Sequence, residues 1–288
     1  MARDNPFAFG TDPWDPSHRF VTSWLVSPFV LFGIRATMSL YAFTTLFFNI
    51  GFQCARADLG GCEASRQSFS FFTVLTYWGI AFYNLTAATH TLCYARTGSA
   101  PLYRFPRPLQ ALHALFYAAI TTYPYLVTIV FWSLLSSPTT LATPFSAWSN
   151  ISQHIFNSVF ATTEIVLART EPHLWTTLPF LIIILALYLG LAYVTFATAG
   201  FYTYDFLDPR IQGNLVAAYV FGIAIGICVL FLFTRYFIWV RKWVTETKMG
   251  YRGVYAVGDD GFAGMRDGLV ESPGKEREHE LTDIGSAV

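Results

Sequence analysis

Residues 148–164 have the sequence WSNISQHIFNSVFATTE and lie within a strongly apolar chain. Within this stretch Asn150, His154, Asn157 and Glu164 are separated by four, three and seven residues, which places them on one face of a helix. Polar groups are costly in hydrocarbon, so such a face must turn toward other helices or an internal cavity. A histidine flanked by amides on that face is the leading candidate for chemistry in this chain.

The composition is that of a membrane protein. Hydrophobic residues make up 54% of the 288 residues and charged residues 12%, which excludes an ordinary soluble domain. Aromatic residues, at 18%, suit a protein with tryptophan and tyrosine at the membrane interfaces. The formal net charge is zero, so we expect no nucleic-acid partner. The membrane itself is the expected partner.

The apolar segments predict an all-α, polytopic membrane helix bundle with six transmembrane helices. Each segment is close to the ~20 residues that a bilayer requires. The predicted spans are 25–49, 69–92, 109–135, 146–168, 175–199 and 214–240. The chain therefore divides into an N-terminal segment over 1–24, a membrane domain over 25–242, and a tail over 243–288. The tail is rich in charge and glycine and has few large apolar residues, which predicts disorder.

The basic residues predict that both termini face the cytoplasm, since positively charged loops favour that side. With the N-terminus inside, the opposite side holds only Arg56, Arg66 and Arg210. The cytoplasmic side holds many more: Arg3, Arg19, Arg96, Arg104, Arg107, Arg169, Arg235, Arg241, Lys242, Lys248, Arg252, Arg266, Lys275 and Arg277. The predicted location is an integral membrane of the endoplasmic reticulum or the plasma membrane.

Two cysteines lie in the first loop on the non-cytoplasmic side. That side is oxidising in the secretory pathway, so Cys54 and Cys62 could form a disulfide that closes a small loop. The alternative is two free thiols.

A hydroxyl and an imidazole lie at similar depths in the second and fourth predicted spans. Both spans run inward from the non-cytoplasmic side, and Thr76 and His154 lie roughly 10–12 Å below that surface at 1.5 Å per residue. A hydroxyl beside an imidazole is the minimum for a base-activated nucleophile. Thr73 lies one turn from Thr76 and is the alternative nucleophile. The structural alternative is that each hydroxyl bonds a carbonyl of its own helix.

Arg35 and Glu164 are expected to form a structural ion pair that ties the first span to the fourth, because both lie in the inner half of the bilayer. His90, His113 and His173 have no spacing typical of metal ligands, so no metal site and no cofactor are expected.

Several motifs together resemble the androgen-induced transmembrane hydrolase family. They are the helix from Trp148 to Glu164, the sequence LGLAY over 189–193, and the loop GFYTYDFLDP over 200–209. The chain resembles the fungal branch and is similar to the rolling-stone-like proteins; the resemblance covers spans two to six.

The resemblance implies an enzyme that cleaves fatty acid esters of hydroxy fatty acids with a threonine nucleophile and a histidine. It points to Thr76, in the context Leu75-Thr76-Tyr77, and to His154. Asn150 or Asn157 could orient the imidazole or donate to an oxyanion. The substrate, a lipid with two long chains, would enter from the bilayer. The alternative is a non-catalytic multi-pass protein, either a transporter or a membrane organiser.

Overall fold

The computed structural model describes residues 14–253 and residue 255. Residues 1–13 and most of the predicted tail, 254 and 256–288, lie outside the described residues, so the prediction of tail disorder stays a prediction there.

The described chain is helical, and the helices follow the predicted segments with shifts of a few residues at their ends. Proline and glycine mark several boundaries: Pro28 opens the first long helix, and Gly98 and Gly200, both with positive φ, close two others. The helices are α1 Pro28–Cys54, α2 Gly61–Ser68, α3 Phe72–Thr97, α4 Arg107–Val130, α5 Pro144–Ile151, α6 Asn157–Leu167, α7 Thr177–Ala199, α8 Pro209–Gln212 and α9 Leu215–Lys242. Three π-helical turns extend or join them: Phe131–Leu135 after α4, Ser152–Phe156 between α5 and α6, and Trp243–Lys248 after α9.

Four helical stretches are long and apolar enough to cross a membrane. They are Pro28–Cys54, Arg107–Leu135, Thr177–Ala199 and Leu215–Lys248. The stretches over 72–97 and 144–167 match the predicted second and fourth spans in position but are more polar. The structure therefore supports an integral membrane protein with four candidate spanning helices, whereas the sequence predicts six.

Two packed cores share α4. In the first, buried side chains of α1, α3, α4 and α6 meet around Tyr77, Ile80 and Tyr83. In the second, α4 packs against α7 and α9 around Leu126, Leu181 and Phe231. The most extensive contact between two helices is that of α1 with α3.

The N-terminal segment and the end of the last helix are joined by buried charges. Arg19 donates through both Nη atoms to the Glu246 carboxylate, at 2.7 and 2.9 Å, and Arg169 and Arg241 lie within 4.0 Å of the same group. The helical structure continues past α9 through Lys248, whereas the sequence predicts that the membrane domain ends at 242. The buried partners of Glu246 hold this extension in the folded protein.

The first loop is closed by a disulfide between Cys54 and Cys62. This bond links the end of α1 to the start of α2.

Candidate active site

A polar cavity of about 480 Å³ lies where α1, α3 and the π-helical turn at Ser152–Phe156 come together. His154 and Thr73 both line it, and so does the loop that follows α7. Its polar lining consists of Asn49, Gln53, Ser68, Thr73, Ser146, Ser149, Asn150, Gln153, His154, Thr203, Tyr204 and Asp205.

The imidazole of His154 is held in one orientation by its own helix. Its Nδ1 atom lies 3.0 Å from the backbone carbonyl oxygen of Asn150. A carbonyl oxygen can only accept, so Nδ1 carries the proton and Nε2 keeps its lone pair. Nε2 makes no hydrogen bond to any part of the chain that the structure describes. This tautomer leaves Nε2 free to accept a proton.

Two π-helical turns meet at this imidazole. His154 lies within one of them, and its ring stacks on Phe131, the first residue of the other, with ring centroids 3.4 Å apart. Trp132 donates its Nε1 proton to the His154 carbonyl oxygen at 3.3 Å. Single π-helical turns are frequent at functional sites because they displace a side chain from the regular helical path.

Thr73 lies at the start of α3, where backbone amides have no carbonyl partner within the helix. The Phe72 N–H donates to the Tyr204 hydroxyl oxygen at 3.1 Å. The next two residues, Thr73 and Val74, line the cavity. Burial raises the pKa of Tyr204, although contact with the Thr73 hydroxyl and the Phe72 N–H partly opposes this. Tyr204 is therefore a neutral phenol beside Thr73.

Thr76 faces a different space. It lines an apolar cavity of about 410 Å³ between α3, α4 and α7. Its hydroxyl donates to the carbonyls of Phe72 and Thr73 at 2.9 and 3.0 Å, as threonines in membrane helices commonly do. The residue that shares the polar cavity with His154 is thus Thr73, the alternative nucleophile, and Thr76 as nucleophile stays a prediction.

The two asparagines have different surroundings. Asn150 lines the cavity, but its Nδ2 donates to the carbonyls of Thr140 and Ser146 at 3.0 and 2.9 Å. Asn157 turns to α4, where its Oδ1 accepts from the Thr128 hydroxyl at 3.0 Å. It is the Asn150 backbone, and neither amide side chain, that contacts the imidazole.

Arg35 and Glu164 form a fully buried pair away from the cavity. Arg35 donates from Nε to Glu164 at 3.0 Å and from Nη2 to the second carboxylate oxygen. Its Nη1 donates to the Thr91 hydroxyl and the Phe20 carbonyl at 2.6 and 2.9 Å. These contacts join α1, α3, α6 and the N-terminal segment.

Several lining residues were not singled out from the sequence. Gln153 precedes the histidine, Asn49 comes from α1, and Tyr204 comes from the loop after α7. The loop was conspicuous as the motif GFYTYDFLDP, but nothing in its spacing indicates that Tyr204 would meet the start of α3. The Oδ1 of Asn49 is buried without a partner in the described chain, so it is available to a ligand or water.

The chain matches no protein-family model, no curated protein and no solved structure.

Proposed function

We propose that this protein is an integral membrane hydrolase of lipid esters, with His154 as the general base and Thr73 as the nucleophile. The observation that carries the proposal is one polar cavity lined by both Thr73 and His154. The His154 Nδ1 atom faces the Asn150 carbonyl oxygen, which leaves the lone pair on Nε2. The resemblance to enzymes that cleave fatty acid esters of hydroxy fatty acids supports the substrate class.

The proposed reaction uses groups already at the cavity. Thr73 Oγ1 attacks the ester carbonyl carbon while His154 Nε2 takes the hydroxyl proton. The negative charge that develops on the carbonyl oxygen is stabilised by the backbone amides of Thr73 and Val74 at the positive end of α3. The protonated His154 then donates to the departing alcohol, and water, activated by the same imidazole, hydrolyses the acyl-enzyme.

The proposal includes the membrane arrangement. All six long helical stretches cross the bilayer, including the more polar stretches over 72–97 and 144–167, whose polar faces turn toward the bundle. Both termini then face the cytoplasm, and the cavity opens near the opposite surface. The protein resides in the endoplasmic reticulum or the plasma membrane.

The test is hydrolysis of a fatty acid ester of a hydroxy fatty acid by membranes with matched amounts of wild type, Thr73→Ala, His154→Ala and Thr76→Ala. We expect Thr73→Ala and His154→Ala each to lower the rate by about 10²- to 10⁴-fold. Thr76→Ala is the matched control, because it removes a hydroxyl from the same helix that faces the other cavity. Normal rates in His154→Ala would refute the proposal. Loss of activity in Thr76→Ala but not in Thr73→Ala would move the nucleophile to Thr76.

The competing function is transport or membrane organisation, for which the polar cavity would be a binding site or part of a path. In that case none of these proteins would hydrolyse the ester.

A further inference from the structure

A second, apolar chamber adjoins the polar cavity on the side of α7 and α9. It has a volume of about 160 Å³, and the only polar side chains among its lining residues are Thr73, Tyr188 and Tyr204. Thr73 and Tyr204 also line the polar cavity, together with Phe131 and Leu135, so the two spaces meet at the proposed nucleophile.

The shape of this chamber fits a slender apolar chain. Its lining on α7 extends from Leu189 to Ile182, about 10 Å along the helix at 1.5 Å per residue. One bilayer leaflet contributes about 15 Å of hydrocarbon, so the chamber is shorter than a full-length acyl chain. Ile182 and Ala186 are exposed on the outside of the bundle, so the chamber is open toward the lipid there.

We infer that this chamber binds one acyl chain of the ester, which enters from the bilayer between α7 and α9 and places its carbonyl at Thr73. Ala224, on α9, lines the chamber with a small side chain, and the space beside it takes the part of the acyl chain farther from the carbonyl. This inference rests on the proposed function only in placing the ester carbonyl at Thr73.

Apolar contact alone would not select a chain from the bilayer, because lipid is as apolar as the chamber. Selection must come from the fit of the chain and from polar groups at its carbonyl end. Two such groups, Thr73 and Tyr204, lie at the end shared with the polar cavity. The third polar side chain, Tyr188, donates its hydroxyl proton to the Ser70 carbonyl oxygen at 3.0 Å. The bound acyl chain therefore has its carbonyl at the polar cavity, and its hydrocarbon extends toward Ile182 and Ala224.

The experiment is photolabelling of the purified full-length protein with a palmitate analogue that carries a diazirine in the first half of its chain, within the length of the chamber, followed by peptide mass spectrometry. We expect saturable labelling at residues of α7 and α9 that line the chamber, reduced by an excess of unlabelled palmitate. Ala224→Phe should lower saturable labelling by at least about tenfold, because the larger side chain fills the space of the chain. The matched control is Ala218→Phe, an exposed alanine of the same helix that does not line the chamber.

The measurement does not depend on turnover, and it is repeated in His154→Ala. If His154→Ala is labelled but does not hydrolyse the ester, both the chamber and the catalytic role of His154 are supported. If the wild type is labelled but does not hydrolyse the ester, the chamber is supported and the proposed function is refuted. Labelling spread over the lipid-facing surface, or unchanged by Ala224→Phe, would overturn the inference. Ala186→Phe, on the opposite wall, gives the same test if Ala224→Phe does not fold.

Discussion

At the scale of single residues, the site depends on which nitrogen of His154 carries the proton and on the presence of Thr73 in the same cavity. The Asn150 carbonyl fixes the proton on Nδ1, and the Phe131 ring fixes the plane of the imidazole. Neither contact comes from the asparagine side chains that the sequence indicated. Sequence spacing predicts that residues share a helix face, but it does not reveal whether a backbone or a side-chain atom makes the contact.

Replacement of Tyr204 by phenylalanine tests the start of α3. The change removes the acceptor of the Phe72 N–H and the phenol beside Thr73. We expect a loss of about 1 kcal/mol in the free energy of unfolding, typical of one hydrogen bond, together with lower ester hydrolysis. Tyr202→Phe in the same loop is the control, because Tyr202 does not line the cavity. Thermal unfolding in detergent and the rate measured beside it check both effects.

His173 makes stability depend on pH. It lies between α6 and α7, where burial lowers its pKa to about 3, helped by the nearby positive charge of Arg235. Below the unfolded pKa of about 6.5, the unfolded chain binds a proton that the folded chain does not, so stability falls as the pH drops. From pH 7.5 to pH 5 this amounts to about 2 kcal/mol.

The measurement for His173 is the melting temperature of wild type and His173→Gln across that pH range. We expect the variant to lose less stability on acidification than the wild type. Its stability at pH 7.5 is expected to be lower, because the contact between Nε2 and the Thr121 hydroxyl at 3.0 Å is lost. Parallel pH dependence in the two proteins would show that His173 does not titrate as described.

At the scale of helices, periodicity and composition predict the positions of all six long stretches, because apolar runs and their proline and glycine boundaries are local features. The breaks into π-helical turns were not predicted. Ser152–Phe156 has no proline or glycine, and it contacts Phe131 and Trp132 of the π-helical turn that follows α4. Such long-range contacts have no signal in a single sequence. The choice between Thr73 and Thr76 depends on the same kind of packing.

The Arg35–Glu164 pair tests how the helices are held together. Arg35→Met leaves the Glu164 carboxylate buried without its partner, which typically costs about 3–5 kcal/mol. We expect Arg35→Met/Glu164→Leu to be more stable than Arg35→Met, because the double variant leaves no unpaired charge. Thermal unfolding in detergent compares the two, and a double variant less stable than Arg35→Met would contradict this role.

At the scale of the whole molecule, the sequence and the structure differ in the number of candidate membrane spans. The sequence predicts six spans, whereas length and apolar composition identify four helical stretches among the described residues. The difference comes from the polar side chains of the other two stretches. Those side chains are acceptable inside a bundle but lower the average hydropathy.

Glycosylation mapping decides the topology. An acceptor sequence inserted after Asp58, in the loop closed by Cys54 and Cys62, should be glycosylated in microsomes, and one placed after the last residue of the chain should not. An acceptor in the loop at Ser137 should also be glycosylated, and one at Gly98 should not. Glycosylation at Gly98 would contradict the six-span arrangement.

The most direct test of the central claim is the site of covalent labelling by a hydroxyl-directed fluorophosphonate, mapped by peptide mass spectrometry on the purified protein. We expect the adduct on Thr73, lost in Thr73→Ala and strongly reduced in His154→Ala, because the imidazole activates the hydroxyl. An adduct on Thr76, or the absence of any adduct from a protein that hydrolyses the ester, would contradict the assignment of Thr73 as the nucleophile.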